Sequence, residues 1–219
     1  MKVGILTYHH TTNYGATLQA YALWKTIKQY GHEVEIIDYR PYKAAIHYLG
    51  RLSPVKPVNN NYLKYRWANN FILYLIQAWK MRKFVVSEIN LSQKKTYTRA
   101  GLKNFSDKYD VVICGSDQIW SIKDGFRGGF NPSFFLDFVD DSKTRKISYA
   151  PSFGQTRDLK KNKQVISQLV SEFDRISVRD DNSLNIIEKD CNRVATTDLD
   201  PTFMNDFSEF ESSLKLAQG

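Results

Sequence analysis

"KVGILTYHHTTNYGATLQAYALWKTIKQYGHEVEIIDYRP" (residues 2–41) decides the fold. It begins with an apolar run rich in β-branched side chains, "KVGILTY", the pattern of a buried strand. A polar loop, "HHTTNYG", follows and ends at Gly15. Leu18, Ala22, Leu23, Ile27 and Tyr30 then recur at intervals of three and four, which predicts a helix with Gly31 at its C′ position. "HEVEIIDYRP" alternates and then runs apolar, predicting a second strand that Pro41 ends. A strand, loop, helix and strand in this order open a parallel α/β sheet.

The same grammar returns downstream. "YDVVICGS" (residues 109–116) reads as a third strand and "SFFLDFV" (133–139) as a short strand. "RKISYAPSFG" (145–154) predicts a strand ending at Pro151. "LKKNKQVISQLVSEF" (159–173) predicts a helix with Val165, Leu169 and Phe173 as its apolar stripe. "DRISVRD", "DNSLNIIEKD" and "RVATTDLDPTFM" predict a strand, a helix, and a last strand with its turn. The expected architecture is a Rossmann-like α/β domain over residues 1–205, its mostly parallel sheet flanked by helices. Residues 206–219 form a tail, and "SEFESSLKLAQG" has no clear partner in the sequence.

One segment interrupts this alternation. Residues 41–105 carry twelve Lys/Arg and a single acid, Glu88, whereas the whole chain has a net charge of only +8. The basicity therefore belongs to an insertion at about 42–105 and not to the whole fold. "RLSPVKPVNNN" (51–61) reads as a loop. From residue 62 to 86 the apolar set Leu63, Trp67, Phe71, Tyr74, Leu75, Ala78 and Met81 has helical spacing, with Lys64, Asn70, Lys80 and Lys83 elsewhere on the wheel. An amphipathic basic helix of this kind packs on the sheet with a solvated face, meets an anionic membrane surface, or grips an acidic glycan or lipid-linked phosphate. No nucleic-acid reader motif is present, so nucleic acid is not an expected partner.

The totals narrow the class. The chain has 219 residues, 42% hydrophobic and 25% charged, enough to bury a core without a disulfide or metal staple. Its two cysteines, Cys114 and Cys191, are far apart, and Cys114 sits inside an apolar run, consistent with a buried thiol in a reducing compartment. No secretory pattern opens the sequence and no apolar run approaches the ~18 residues of a span. The expected location is cytoplasmic, peripheral to the inner membrane if the basic insertion reaches it. His9 and His10 point apart on extended chain, and the sequence has no HxxxH pair, so no metal is expected. The dinucleotide fingerprint GxGxxG, the phosphate loop GxxxxGK[ST] and the GxSxG elbow are all missing. Asp38 ends the second strand where a ribose-binding acid would stand, but no Gly-rich loop accompanies it.

In open parallel sheets, ligands bind beyond the carboxyl ends of the strands. The polar clusters of this sequence fall there. His9, His10, Thr11, Thr12, Asn13 and Tyr14 follow the first strand. Ser116, Asp117, Gln118 and Trp120 follow the third. Ser152 and Arg179 follow the next two. Gly115 lets the backbone turn without a Cβ, so that Ser116 and Asp117 either cap the next segment or line a cleft.

Five stretches in order, "NYGATLQAYAL" (13–23), "GSDQIW" (115–120) with "NPSFFLDFV" (131–139), "ISYAPSFG" (147–154), "ISVRDDNS" (176–183) and "DLDPTFM" (198–204), resemble the polysaccharide pyruvyl transferase family. The resemblance implies one Rossmann-like half of a two-domain, glycosyltransferase-like architecture. In that family "LDPT" falls near the end of the first half, so an N-terminal half with a further domain beyond its tail is expected. It also implies transfer of pyruvate, as a cyclic ketal, from phosphoenolpyruvate to two sugar hydroxyls, with phosphoenolpyruvate as donor substrate and no cofactor. The chemistry needs an acid for C3 of the donor, a base for the attacking hydroxyl, and donors for phosphate and carboxylate. Among the matched positions Asp117 suits the base or a hydroxyl anchor. Asn13, Gln19 and Gln118 suit sugar hydroxyls, Trp120 or Tyr14 a stacked ring, and Arg179 an anionic group. Gly115, Ser116 and Ser152 complete the expected substrate-binding set. Two other readings stay open: a glycosyltransferase using a nucleotide sugar, and a non-catalytic carbohydrate-binding or assembly subunit that dimerises through an open face.

Overall fold

A computed structural model describes residues 1–42, 61–123 and 129–210. Six strands order its centre: β1 (Lys2–Leu6), β2 (Glu33–Ile36), β3 (Val111–Gly115), β4 (Arg145–Tyr149), β5 (Arg175–Val178) and β6 (Thr196–Thr197). They form one sheet in the order β2-β1-β3-β4-β5-β6, and every pairing is parallel. Among the described residues, five α-helices accompany it: α1 (Tyr14–Gln29), α2 (Asn61–Glu88), α3 (Arg99–Leu102), α4 (Lys163–Ser171) and α5 (Asp181–Cys191). The expected Rossmann-like α/β arrangement is the one observed.

Register and alternation place the core on both faces. Val3 lies opposite Val111, and Leu6 opposite Cys114. Successive strand residues point to opposite sides. Val3, Ile5 and Val111 meet Ala20, Leu23 and Trp24 of α1. Leu6, Val112, Cys114, Ile176 and Val178 meet Ile166 and Val170 of α4 with Ile186 and Ile187 of α5. Buried on both faces, the strands read as near-continuous apolar runs, which is why they were legible.

Three local expectations need correction. "SFFLDFV" is not a strand but a 3-10 turn over Pro132–Phe135. Asn131 caps it by accepting from the Ser133 N–H at 3.1 Å, and Leu136 ends it in a left-handed conformation, so no extended run can form. The stripe of α4 is also shifted. Ile166 and Val170 are its buried residues, Leu169 is partly buried, and Val165 faces outward. Phe173 is buried just past the helix end. In α2, Tyr74, Ala78 and Met81 do face inward, whereas Leu75 is exposed. Leu63, Trp67 and Phe71 lie outside the described side chains, and the loop at 51–60 outside the described residues. After α2 the chain returns along the outer edge of β2, where Ile36 bridges Leu91 and Tyr39 bridges Thr96. Towards the other terminus, Phe207 and Phe210 lie against Tyr21 of α1.

Gly115 closes β3 at a φ of +125°, and a Cβ there would lie 2.0 Å from the Tyr149 carbonyl oxygen. Both backbone and space demand glycine. Gly115→Ala is expected to lower stability by about 2–3 kcal/mol, read as a fall in the urea midpoint with an unchanged slope.

Candidate functional site

The strand order creates the site. From β1 the chain turns to one side to reach β2, then crosses back to build β3 on the other side. The loops after β1 and β3 therefore splay at a topological switch point and leave a crevice between them. A cavity of about 410 Å³ lies there. A wider groove of about 560 Å³ runs over β4–β6 past Ile147, Arg175 and Arg193, but it is not at the crevice that this strand order creates.

Four chain segments line the cavity. The β1–α1 loop and the first two turns of α1 give Asn13, Gly15, Ala16 and Gln19. The loop after β3 gives Asp117 and the loop after β5 gives Arg179. The turn after β6 gives Asp200, Thr202 and Phe203. Sequence reasoning named Asn13, Gln19, Asp117 and Arg179, and the fold brings those four together. It passed over Asp200, Thr202 and Phe203, although they sit in the quoted "DLDPTFM". Their signal was the strand-end rule, masked because β6 spans only two residues.

Each lining residue has a local reason for its place. Asn13 is the N-cap of α1: its Oδ1 accepts from the Gly15 N–H at 2.9 Å, and its own N–H donates to Thr11 Oγ1 at 2.7 Å. The amino end of a 16-residue helix thus borders the cavity and favours negative charge there. Gln19 is buried and ties the two loops. Its Nε2 donates to Thr7 Oγ1 at 3.0 Å and to the Ala16 carbonyl at 2.8 Å. Its Oε1 accepts from the Ser116 N–H at 3.1 Å and the Ser116 hydroxyl at 2.9 Å. Its amide is fully engaged inside the protein, so Gln19 positions Ser116 and the residue after it. Asp117 takes a left-handed φ of 68°. Its Oδ1 accepts from the Gln118 N–H at 2.7 Å, and its carbonyl accepts from the Ser152 N–H at 3.0 Å. No α-helix follows within the next residues, so Asp117 caps none.

Opposite, Arg179 donates to Asp200 Oδ2 at 2.8 Å. Asp200 Oδ1 accepts from the N–H and the hydroxyl of Thr202 at 3.1 and 2.8 Å. Two acidic residues and one arginine thus line a cavity bordered by a helix amino end. Such a set can accept from hydroxyls, take a proton, and hold one anionic group.

The other expected site residues lie elsewhere. Trp120 is 0% exposed, donates from its indole to the Phe134 carbonyl at 3.0 Å, and stacks on Phe135. It has no face left for a sugar ring. Tyr14 is exposed on the first turn of α1. Gln118 is exposed beside Gly154. Ser116 and Ser152 are buried and serve the loop scaffold: Ser152 Oγ accepts from the Gly154 N–H at 2.8 Å. Gly115 is the backbone pivot described above.

A buried charged cluster stands at the carboxyl ends of β1 and β2. Arg40 donates twice to Asp38, at 2.6 and 2.9 Å, and His9 Nε2 lies 3.0 Å from Asp38 Oδ1. His9 Nδ1 lies 3.1 Å from the Thr7 carbonyl. Burial alone would push the Asp38 carboxyl up. The hydrogen bonds from His9 and Arg40, with their charges, outweigh burial and hold its pKa at about 2. Asp38 is thus an internal brace of the β1 loop. The Cys114 thiol, beneath the site, is pushed far up by burial, which makes it inert. Among the described residues no cluster of His, Cys, Asp or Glu could hold a metal ion, and no helix is long and apolar enough to cross a membrane.

The fold and this cavity define a Rossmann-like α/β protein with a crevice at its switch point lined by Asp117, Arg179 and Asp200. Residues 13–217 match the family model of the polysaccharide pyruvyl transferases, and the chain belongs to that family. No curated protein and no solved structure matches it.

Proposed function

We propose that this protein serves the transfer of pyruvate from phosphoenolpyruvate to two hydroxyls of a sugar in a cell-surface polysaccharide or its precursor. The reacting groups would meet in the cavity between β1 and β3. The observation that carries this reading is the convergence of Asn13, Asp117, Arg179 and Asp200 from four segments onto one cavity of about 410 Å³, all inside the stretch that matches the family.

The reaction balances without a cofactor. Two C–O bonds form between C2 of the donor and the sugar oxygens, and the bond from C2 to the phosphate oxygen breaks. One hydroxyl proton ends on C3, making a methyl group, and the other leaves with phosphate. Asp117 takes the role of base towards a hydroxyl. Asn13 and Thr202 orient the sugar. Arg179 and the amino end of α1 face the anionic donor.

Thermal unfolding with a ligand panel tests the reading: phosphoenolpyruvate, methyl hexosides, N-acetylhexosamines and nucleotide sugars. A ligand at about 100 times its Kd adds roughly 2.7 kcal/mol. Shifts with phosphoenolpyruvate and with a hexoside are expected. A shift confined to a nucleotide sugar would replace the proposal with a glycosyltransferase.

A further inference from the structure

Helix α2 has two apolar faces. One is docked: Met81 and Val85 are buried, Phe84 meets Tyr21 and Phe210, and Tyr74 and Gln77 hold Thr12 of the β1–α1 loop by hydrogen bonds of 2.9 Å each. The opposite face carries Ile72, Leu75, Ile76, Trp79 and Val86, spaced at three, four and seven along the helix. Ile72 is 54%, Trp79 61% and Val86 59% exposed. Among the described residues nothing covers this stripe. An apolar ridge of this extent calls for an occupant.

Charge identifies the occupant. Residues 61–87 contain Lys64, Arg66, Lys80, Arg82 and Lys83 and no acid. On the helical wheel Arg82 and Lys80 flank the exposed stripe on either side. Lys83 lies within it, its ammonium 5.3 Å from the Trp79 ring centroid. A second copy of the same face would set these cations against one another. A Trp-bearing apolar stripe with basic flanks fits the interface of an anionic bilayer, where indole and aliphatic groups enter the headgroup boundary and Lys and Arg meet lipid phosphates. We propose that α2 seats the protein on an anionic lipid surface through Ile72, Leu75, Ile76, Trp79 and Val86. The docked face of the same helix holds Thr12, next to Asn13 of the cavity, so the seat lies beside the candidate site. The proposal concerns where the protein sits and does not depend on the reaction.

Co-sedimentation with phosphatidylcholine vesicles, with and without about 30% phosphatidylglycerol, tests this. Binding to the anionic vesicles should exceed binding to neutral ones at least ~10-fold and weaken as salt rises. The triple change Lys80→Ala, Arg82→Ala, Lys83→Ala should lower it roughly 100-fold, given a factor of about five per basic residue at the surface. Trp79→Ser should abolish most of it while the unfolding temperature stays unchanged, because Trp79 is exposed. The proposal is overturned if the protein ignores anionic vesicles, or if both variants bind like the wild type. It is also overturned if wild type is a dimer that Trp79→Ser dissociates while no vesicle binding occurs, which would assign the stripe to a second copy.

Discussion

Asp38→Asn is expected to cost about 3–5 kcal/mol at neutral pH, the usual consequence of removing one partner from a buried ionic cluster. The carboxylate receives two hydrogen bonds from Arg40 and lies against His9, and all three side chains are buried. An amide offers one acceptor instead of two and turns an N–H₂ towards a guanidinium. The damage would spread, because Asp38 also organises the chain returning from α2. Its N–H donates to Ser92 Oγ at 2.9 Å, and its carbonyl accepts from the Thr96 N–H at 2.9 Å. The pH dependence follows in sign. Folding lowers the Asp38 pKa from 3.8 to about 2. Its contribution is therefore complete above pH ~4 and is lost as pH falls towards ~2. Urea unfolding of both proteins at several pH values checks this. The gap between wild type and variant should be wide at neutral pH and narrow as pH approaches ~2. A gap within ~1 kcal/mol at neutral pH would mean the cluster behaves like a surface pair.

Asp117→Asn is expected to lower turnover by about 10²–10⁴ through loss of the base, with little change in stability. The two expectations separate because the hydrogen bond that Asp117 accepts from the Gln118 N–H does not need its charge. Asn also accepts from the Gln118 N–H through its side-chain oxygen, and Asn tolerates a φ of 68°. The loss should fall on kcat, with KM for the sugar moving less, since an amide still hydrogen-bonds a hydroxyl. A variant that matches the wild type in kcat removes Asp117 from the proposed mechanism.

These expectations also show what a sequence can carry. Doubly buried parallel strands announce themselves as apolar runs, so β1 to β5 were readable, as was α1, whose stripe and Gly31 mark its phase and its end. "SFFLDFV" misled because its aromatic residues are buried by a capped turn; hydrophobicity alone does not distinguish the two. A helix with one buried stripe is easily phased, but α2 has apolar residues on opposite faces, and Leu75 was drawn into the wrong one. At the site, the strand-end rule found Asn13, Asp117 and Arg179 because chain direction puts them there whatever their partners, and the family resemblance added Gln19. It could not tell that Trp120 turns into the core or that the amide of Gln19 is spent on Thr7, Ala16 and Ser116, since those partners are set by packing. The brace of His9, Asp38 and Arg40 joins residues 29 apart in sequence; Asp38 is intelligible only once β1 and β2 are seen side by side.

The most direct test is to incubate the protein with phosphoenolpyruvate and a panel of sugar acceptors, following phosphate release and the proton spectrum of the sugar. The account predicts a new methyl signal from the ketal, growing in step with phosphate, dependent on the acceptor, and largely lost in Asp117→Asn. Ketal formation undiminished in that variant would contradict the role of this cavity, and consumption of a nucleotide sugar with no ketal would contradict the reaction itself.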